Sequence, residues 1–277
     1  MSIYKCPKCN QPLTRVDKSY KCFSNHSYDI SKKGYVNLML ANQGHSLNEG
    51  DSKEMIDARK RFLECEFYIC LRNTLYDAIF HSLHTSNNIF LDVACGDGYY
   101  TNYLHQELSK KIKIKTYGVD ISKAAINSAS SSKNIKKLEN ISYCVGNMDY
   151  LPFLDSSIDI LLNCFAPINE KEFYRVMKTN GYYIRVLPGK NHLLQLKEFL
   201  YKEVHLNEPK ENKIDGFSLE NEYQVDDVIN INNQQIQDLF TMTPYYYKTS
   251  FEAKERLKKL EALTTQISFI IKVYKKI

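Results

Sequence analysis

Between residues 88 and 187 the sequence switches repeatedly between two spacings of apolar residues. NIFLDVA (88–94), IKTYGVDI (114–121), ISYCVGN (141–147), SIDILLNCF (157–165) and GYYIRVL (181–187) are apolar runs of strand length. YYTNYLHQELSK (99–110), SKAAINSASSS (122–132) and KEFYRVMK (171–178) stand between them and read as helices, the second capped by Ser122. Apolar strands alternating with helices predict a parallel sheet with both faces covered, an α/β fold. Two helices are expected ahead of this unit. GDSKEMIDARKRFL (50–63) has Asp51 or Ser52 as its cap and Met55, Ile56, Phe62 and Leu63 on one face. FYICLRNTLYDAIFHSLH (67–84) repeats Leu71, Leu75, Ile79 and Leu83 every fourth position. Beyond it, 191–205 and 232–243 read as helices, and 222–231 and 265–276 as strands. A chain of 277 residues, 43% of them hydrophobic, has room for one large domain and one small one.

The first strand of the alternation ends in LDVACGDG. Asp92 closes the strand, and Gly96 and Gly98 permit a tight backbone turn against a ligand, with a helix N-terminus behind it. A dinucleotide site wants a third glycine where this chain has Thr101, so the turn suits a ligand without a pyrophosphate. Asp120 ends the next strand, where a carboxylate can take ribose hydroxyls, although by itself it also reads as a cap for the Ser122 helix. The loop at Asn147, after the third strand, is placed for a backbone amide to read an adenine edge. Asp92, the 96–98 turn, Asp120 and the 147–149 loop all fall along the carboxyl edge of one sheet, where ligands bind in open α/β folds.

The N-terminal segment has a different chemistry. Cys6-x2-Cys9-x12-Cys22-x3-His26 sets two close pairs a dozen residues apart, the spacing and donor set of a closed tetrahedral zinc site. Four protein ligands leave no open position, so the predicted zinc is structural. Residues 1–36 hold too few apolar side chains to fold without such a staple. They are basic: seven Lys or Arg face two Asp over residues 1–33, the footprint of a phosphate-binding surface or simply a solvated face. The other five cysteines, at 65, 70, 95, 144 and 164, show no paired pattern and read as small buried side chains. No window of about 18 apolar residues suggests a membrane span, and MSIYKCPKC has no signal-peptide core, so the expected compartment is the cytoplasm.

In order and spacing, the edge motifs resemble those of S-adenosylmethionine-dependent methyltransferases, with Ala94 where many such enzymes carry glycine. The likeness extends further. The Cys/His knuckle, SYDISKKGYVNLM (27–39), GDSKEMIDARKRFL, LDVACGDGYYT, GVDISKAAI, LPF, FAP, PGKNHLLQLK, LYKEVHLNEP and TMTPYYYK together resemble the RlmA-type family of large-subunit ribosomal RNA guanine-N1 methyltransferases. That resemblance implies a Rossmann-like methyltransferase domain over 85–277, a helical linker over 37–84 and a zinc-binding RNA-recognition module over 1–36. It implies cofactor contacts at Tyr68, Gly96, Asp97 and His192, with Asp120 on the ribose. It further implies a 23S ribosomal RNA hairpin as partner and a homodimer. The departure is 42–49, which has no Lys or Arg where that family is basic.

N1 of guanine lies on the pairing edge, so the base must be unpaired or flipped to be reached. Its proton must leave; Asp97, Glu170 and Glu172 are candidate bases, and the sequence does not rank them. NCFAP (163–167) is expected to line the target-base side, with Asn163 either on the base edge or capping a strand. Two other readings compete: a small-molecule methyltransferase, and a zinc-containing RNA-binding protein without catalysis.

Overall fold

A computed structural model describes residues 2–40, 50–83, 87–208 and 213–277; the 42–49 stretch lies outside the described residues. The N-terminal segment is a three-stranded antiparallel ribbon of β1 (Thr14–Val16), β2 (Ser19–Lys21) and β3 (Ser27–Asp29). Next come β4 (Val36–Asn37), α1 (Lys53–Glu64), α2 (Ile69–His81), β5 (Asn88–Val93), α3 (Tyr99–Ser109), β6 (Ile114–Asp120), α4 (Lys123–Ile135) and β7 (Ile141–Val145). The chain continues through β8 (Ile158–Cys164), α5 (Glu170–Val176), β9 (Met177–Pro188), α6 (Leu194–Leu200) and β10 (Phe217–Asn232). It closes with α7 (Asn233–Thr241), α8 (Tyr245–Lys248), α9 (Phe251–Lys258) and β11 (Ala262–Lys276).

Strands β4 to β11 form one sheet in the order β10-β11-β9-β8-β5-β6-β7-β4. From β9 to β4 every pairing is parallel, as the alternation of periods predicts. The last two strands make the sheet mixed, because β11 runs antiparallel to both β9 and β10. Helices α7 to α9 do not carry the chain across the sheet. They turn at one edge, so β11 returns in the opposite direction between β9 and β10. A helix between two strands usually signals a crossover and a parallel pair; here it does not.

Local signals account for most boundaries. Ser52, Ser122 and Ser250 each accept a hydrogen bond from the amide three residues on, starting α1, α4 and α9, and Asn232 with Gln235 forms a capping box on α7. The expected helix over 191–205 is cut to α6. Tyr201 leaves the helical path because its ring packs on Tyr245, 6.2 Å away, and its hydroxyl meets Thr249 at 3.2 Å.

One face of the sheet buries Phe90, Ile160, Leu162, Ile184 and Ile271 beneath α2, α3, α6 and α7. The other face buries Leu91, Val93, Tyr117, Val119 and Leu161 beneath Phe173 of α5 and the ribbon's Tyr4, Leu13 and Cys22. The ribbon is joined to this face by backbone as well. Lys5 N–H donates to Pro152 O at 2.9 Å, Leu154 N–H donates to Ile3 O at 2.9 Å, and Val36 of β4 pairs with Cys144 of β7. Tyr4 meets Tyr20, Tyr117 and Phe153 at ring-centroid distances of 5.2 to 5.4 Å.

Candidate active site and metal centre

The four predicted metal ligands converge: one donor atom from each of Cys6, Cys9, Cys22 and His26 lies within 4.8 Å of the others. Nδ1 of His26 is 3.6 Å from Cys6 Sγ and 3.4 Å from Cys22 Sγ, and Cys9 Sγ is 3.6 Å from Cys22 Sγ. Edges of that length fit a tetrahedron around an ion bonded at about 2.3 Å to sulfur and about 2.0–2.1 Å to nitrogen. Each knuckle turns on an asparagine in the left-handed region, Asn10 at φ 62° and Asn25 at φ 60°. Asn10 N–H donates to Cys6 O at 2.8 Å and Asn25 N–H to Cys22 O at 3.0 Å. These two asparagines, each next to a ligand in sequence, shape the turns. Burial of Cys6 opposes ionisation, but hydrogen bonds from Tyr28 and from the backbone of Cys9 and Lys8 outweigh it and lower the thiol to about 6.

On the large sheet, strand order reverses between β5 and β8, which opens a crevice at their carboxyl ends. The turn after β5 lies there. Ala94 is held at φ 58°, Gly96 at 56° and Gly98 at 76°. A Cβ on Gly96 would meet nothing closer than Arg59 Nη1 at 3.7 Å, so the space above that residue is open. At Gly98 a Cβ would fall 2.7 Å from Tyr143 Oη and 2.9 Å from Ala129 Cβ; the protein's own packing requires this glycine. Ala94 occupies a left-handed conformation that glycine adopts freely.

Asp120 ties the edge together. Its Oδ2 accepts from Gly96 N–H at 2.9 Å and its Oδ1 from Ser122 N–H at 2.8 Å, so it orients the turn and supports the α4 cap at once. Burial raises its pKa, and the two amides pull the other way. A carboxylate offers about four acceptor positions, which leaves capacity for hydroxyl donors. Asp92 is buried: Oδ2 accepts from Thr101 Oγ1 at 2.5 Å, and Oδ1 has no partner. Burial raises Asp92 to about 7, opposed by the Thr101 hydrogen bond and reinforced by Asp120. A buried carboxylate oxygen without a donor beside an open glycine turn fits the ammonium of an amino-acid ligand. Asp97 is buried, with Oδ1 accepting from Tyr99 N–H at 3.3 Å; burial raises its pKa and the Arg59 charge opposes that. Asn147 is buried at the end of β7, and its side chain accepts from Asp149 N–H at 2.8 Å to close a short 3-10 turn.

Tyr68 and His192 form a second group, toward β9 and β11. Their rings are 6.0 Å apart, and each lies 4.8 Å from the ring of Phe269. His192 Nδ1 accepts from Ser268 N–H at 3.2 Å, and burial with the nearby Lys197 charge holds the imidazole neutral, its pKa lowered to about 3. Tyr100, in the first turn of α3, has a buried, unpartnered hydroxyl within electrostatic reach of Tyr68 and Cys164, between the two groups. Of the candidate bases, Glu172 is committed: its carboxylate takes Leu151 N–H at 2.7 Å and pairs with Arg175. Arg59 went unread in the sequence. It pairs with Asp51, reaches Met242 O at 3.3 Å and places its charge over the glycine turn.

A sheet ordered this way, with an acidic strand end, an open glycine turn and a carboxylate on the next strand, defines an S-adenosylmethionine-dependent methyltransferase. Residues 84–241 match the methyltransferase-domain family, and residues 4–47 match the RlmA N-terminal zinc ribbon. The chain is 32% identical over 208 residues to YxjB of Bacillus subtilis, which carries the provisional name 23S rRNA (guanine-N1)-methyltransferase; the match covers 73% of this chain and 70% of YxjB. It is 26% identical over 198 residues to the 23S rRNA (guanine(748)-N1)-methyltransferase of Streptomyces fradiae, covering 71% and 67%. The solved structure of Bacillus subtilis YcgJ superposes with a TM-score of 0.50 at 17% identity, over 74% of this chain and 97% of that one, and shows the shared fold. The chain belongs to the RlmA family of methyltransferases.

Proposed function

We propose that this enzyme methylates N1 of one guanine in a hairpin of 23S ribosomal RNA. The observation that carries the reading is that a zinc ribbon and a methyl-donor edge occur together, sharing one core, and that the likeness to YxjB spans 73% of this chain. The ribbon supports an RNA partner. Phe23, in the second knuckle two residues past the exposed Lys21, is 93% exposed, a ring free to stack on an unpaired base beside a charge free to meet phosphates.

In this reading Cys6, Cys9, Cys22 and His26 hold zinc, which fixes the ribbon's shape. Bound S-adenosylmethionine supplies an activated methyl on a sulfonium. Asp92 and the Gly96–Gly98 turn with Asp97 hold the methionine end, Asp120 the ribose, and Asn147 borders the adenine. Tyr68 and His192 close the far side, His192 as a neutral ring. Residues 1–36 grip the RNA, 37–84 link, and 85–277 carry the chemistry, in the cytoplasm and as a homodimer. What the chain supplies is alignment and exclusion of water, because the methyl is already electrophilic.

The test is radiolabelled methyl transfer to unmodified 23S ribosomal RNA beside a panel of small quinols and phenols. Label in RNA alone is expected; label in the small molecules alone would replace this reading.

A further inference from the structure

Three polar groups at the carboxyl edge, two of them on a residue with no role so far, have no hydrogen-bond partner. Asn163 of β8 and Arg185 of β9 are register partners on neighbouring parallel strands, and Val93, just ahead of the glycine turn, pairs with Asn163 on its other side. Asn163 is completely buried. Its Nδ2 donates to Val93 O at 3.4 Å, while its Oδ1 has no partner. Arg185 is half-buried, its Nε and Nη1 are buried without partners, and it makes no ion pair among the described residues. The neighbouring cation, Lys272, is already paired with Glu222 at 3.2 Å. One buried acceptor and two buried donors, side by side and not spent on each other, are costly unless something arrives to meet them.

We infer that Asn163 and Arg185 read the pairing edge of the target guanine. This rests on the guanine substrate proposed above. Guanine presents O6 as an acceptor, N2–H as a donor and N1 between them. Arg185 donates to O6 and Asn163 Oδ1 accepts from N2–H, which leaves N1 facing the methyl donor. As the N1–CH3 bond forms, the S–CH3 bond breaks and its electron pair stays on sulfur, giving a neutral thioether; the N1 proton passes to water. Negative charge that develops on O6 as that proton leaves falls against the Arg185 guanidinium. The same pair discriminates against adenine, which offers a donor where Arg185 needs an acceptor.

The experiment uses the full zinc-loaded chain and RNA fragments spanning the mapped guanine, carrying either guanosine or inosine, which lacks the 2-amino group. Wild-type enzyme is expected to lose about tenfold or more in kcat/KM on inosine, as sites built around a hydrogen bond do. Asn163→Ala is expected to bring the two substrates within about threefold of each other, with the calorimetric affinity for S-adenosylmethionine unchanged. Arg185→Gln is expected to lower kcat and move the rising limb of the pH–rate profile to higher pH, because the N1 proton becomes harder to remove; Arg185→Lys restores part of it. A wild-type enzyme indifferent to inosine would overturn the inference without needing any variant to fold. So would an Asn163→Ala enzyme that keeps the full preference. A wild-type enzyme that binds the cofactor and methylates no guanine at all would overturn both the substrate and this pocket.

Discussion

In the zinc ribbon the reactive atoms meet one another. Three thiols and an imidazole sit within 4.8 Å, and Tyr28 adds a hydroxyl at 3.2 Å from Cys6 Sγ. At the carboxyl edge of the large sheet the polar atoms stand apart: Asp92 Oδ1, Tyr100 Oη and Asn163 Oδ1 are all buried and unpartnered. The ribbon's metal-binding atoms are spent on one another, whereas these three atoms at the edge are kept in reserve for a ligand. Both lie against one body of core, since Tyr4, Leu13 and Cys22 pack with Tyr117 and Val119. The difference between the two regions is therefore one of saturation, and it can be tested from either side.

The largest effect is expected in the ribbon. Cys22→Ser should lower bound zinc from one per chain to none and reduce the stability of the whole chain by roughly 3–5 kcal/mol, read from the urea midpoint. A sheet transition left in place would mean that the shared core does not couple the two regions. Next is Asp92. Its folded pKa, about 7, lies above its unfolded value, so the carboxyl stabilises the fold at low pH and that contribution is lost as pH rises from about 4 through 7. Without ligand, stability should fall by up to about 4 kcal/mol between pH 4 and 8, and Asp92→Asn should abolish most of the fall. Because a cationic group on the ligand favours the carboxylate, affinity for S-adenosylmethionine should rise over the same window. Asp120→Asn comes third. An amide cannot accept with both ends from Gly96 and Ser122, so cofactor affinity should drop by about 1.5–3 kcal/mol in a calorimetric titration. The smallest effect is Ala94→Gly. It relieves a left-handed alanine, which costs roughly 1–2 kcal/mol, against a similar gain in unfolded-chain entropy, so the melting point should stay level or rise slightly.

The strands and helices from 88 to 187 could be read because each is short, strongly periodic and locally capped. What escaped depended on contacts far along the chain. Val36 joins the sheet only by pairing with Cys144, more than a hundred residues on, and its two-residue strand has no period to read. The reversal of β11 is set by where α7 to α9 turn, which apolar spacing does not encode. The metal ligands were legible because zinc demands particular residue types at particular distances. Asp92, Gly96 and Asp120 were legible because strand ends fall together at one edge of a parallel sheet. Arg59 and Arg185 were not, since a lone arginine in a helix or strand has no distinguishing spacing. Gly98 was read as serving the ligand, yet its neighbours Tyr143 and Ala129 show a packing requirement that only the folded chain reveals.

The most direct measurement is primer extension on 23S ribosomal RNA incubated with the zinc-loaded enzyme and S-adenosylmethionine. A methyl on N1 blocks base pairing, so reverse transcriptase is expected to halt one nucleotide before a single guanine, and only when enzyme and cofactor are both present. Read-through along the whole RNA, with enzyme that demonstrably binds the cofactor, would contradict the assignment of that guanine edge as the substrate.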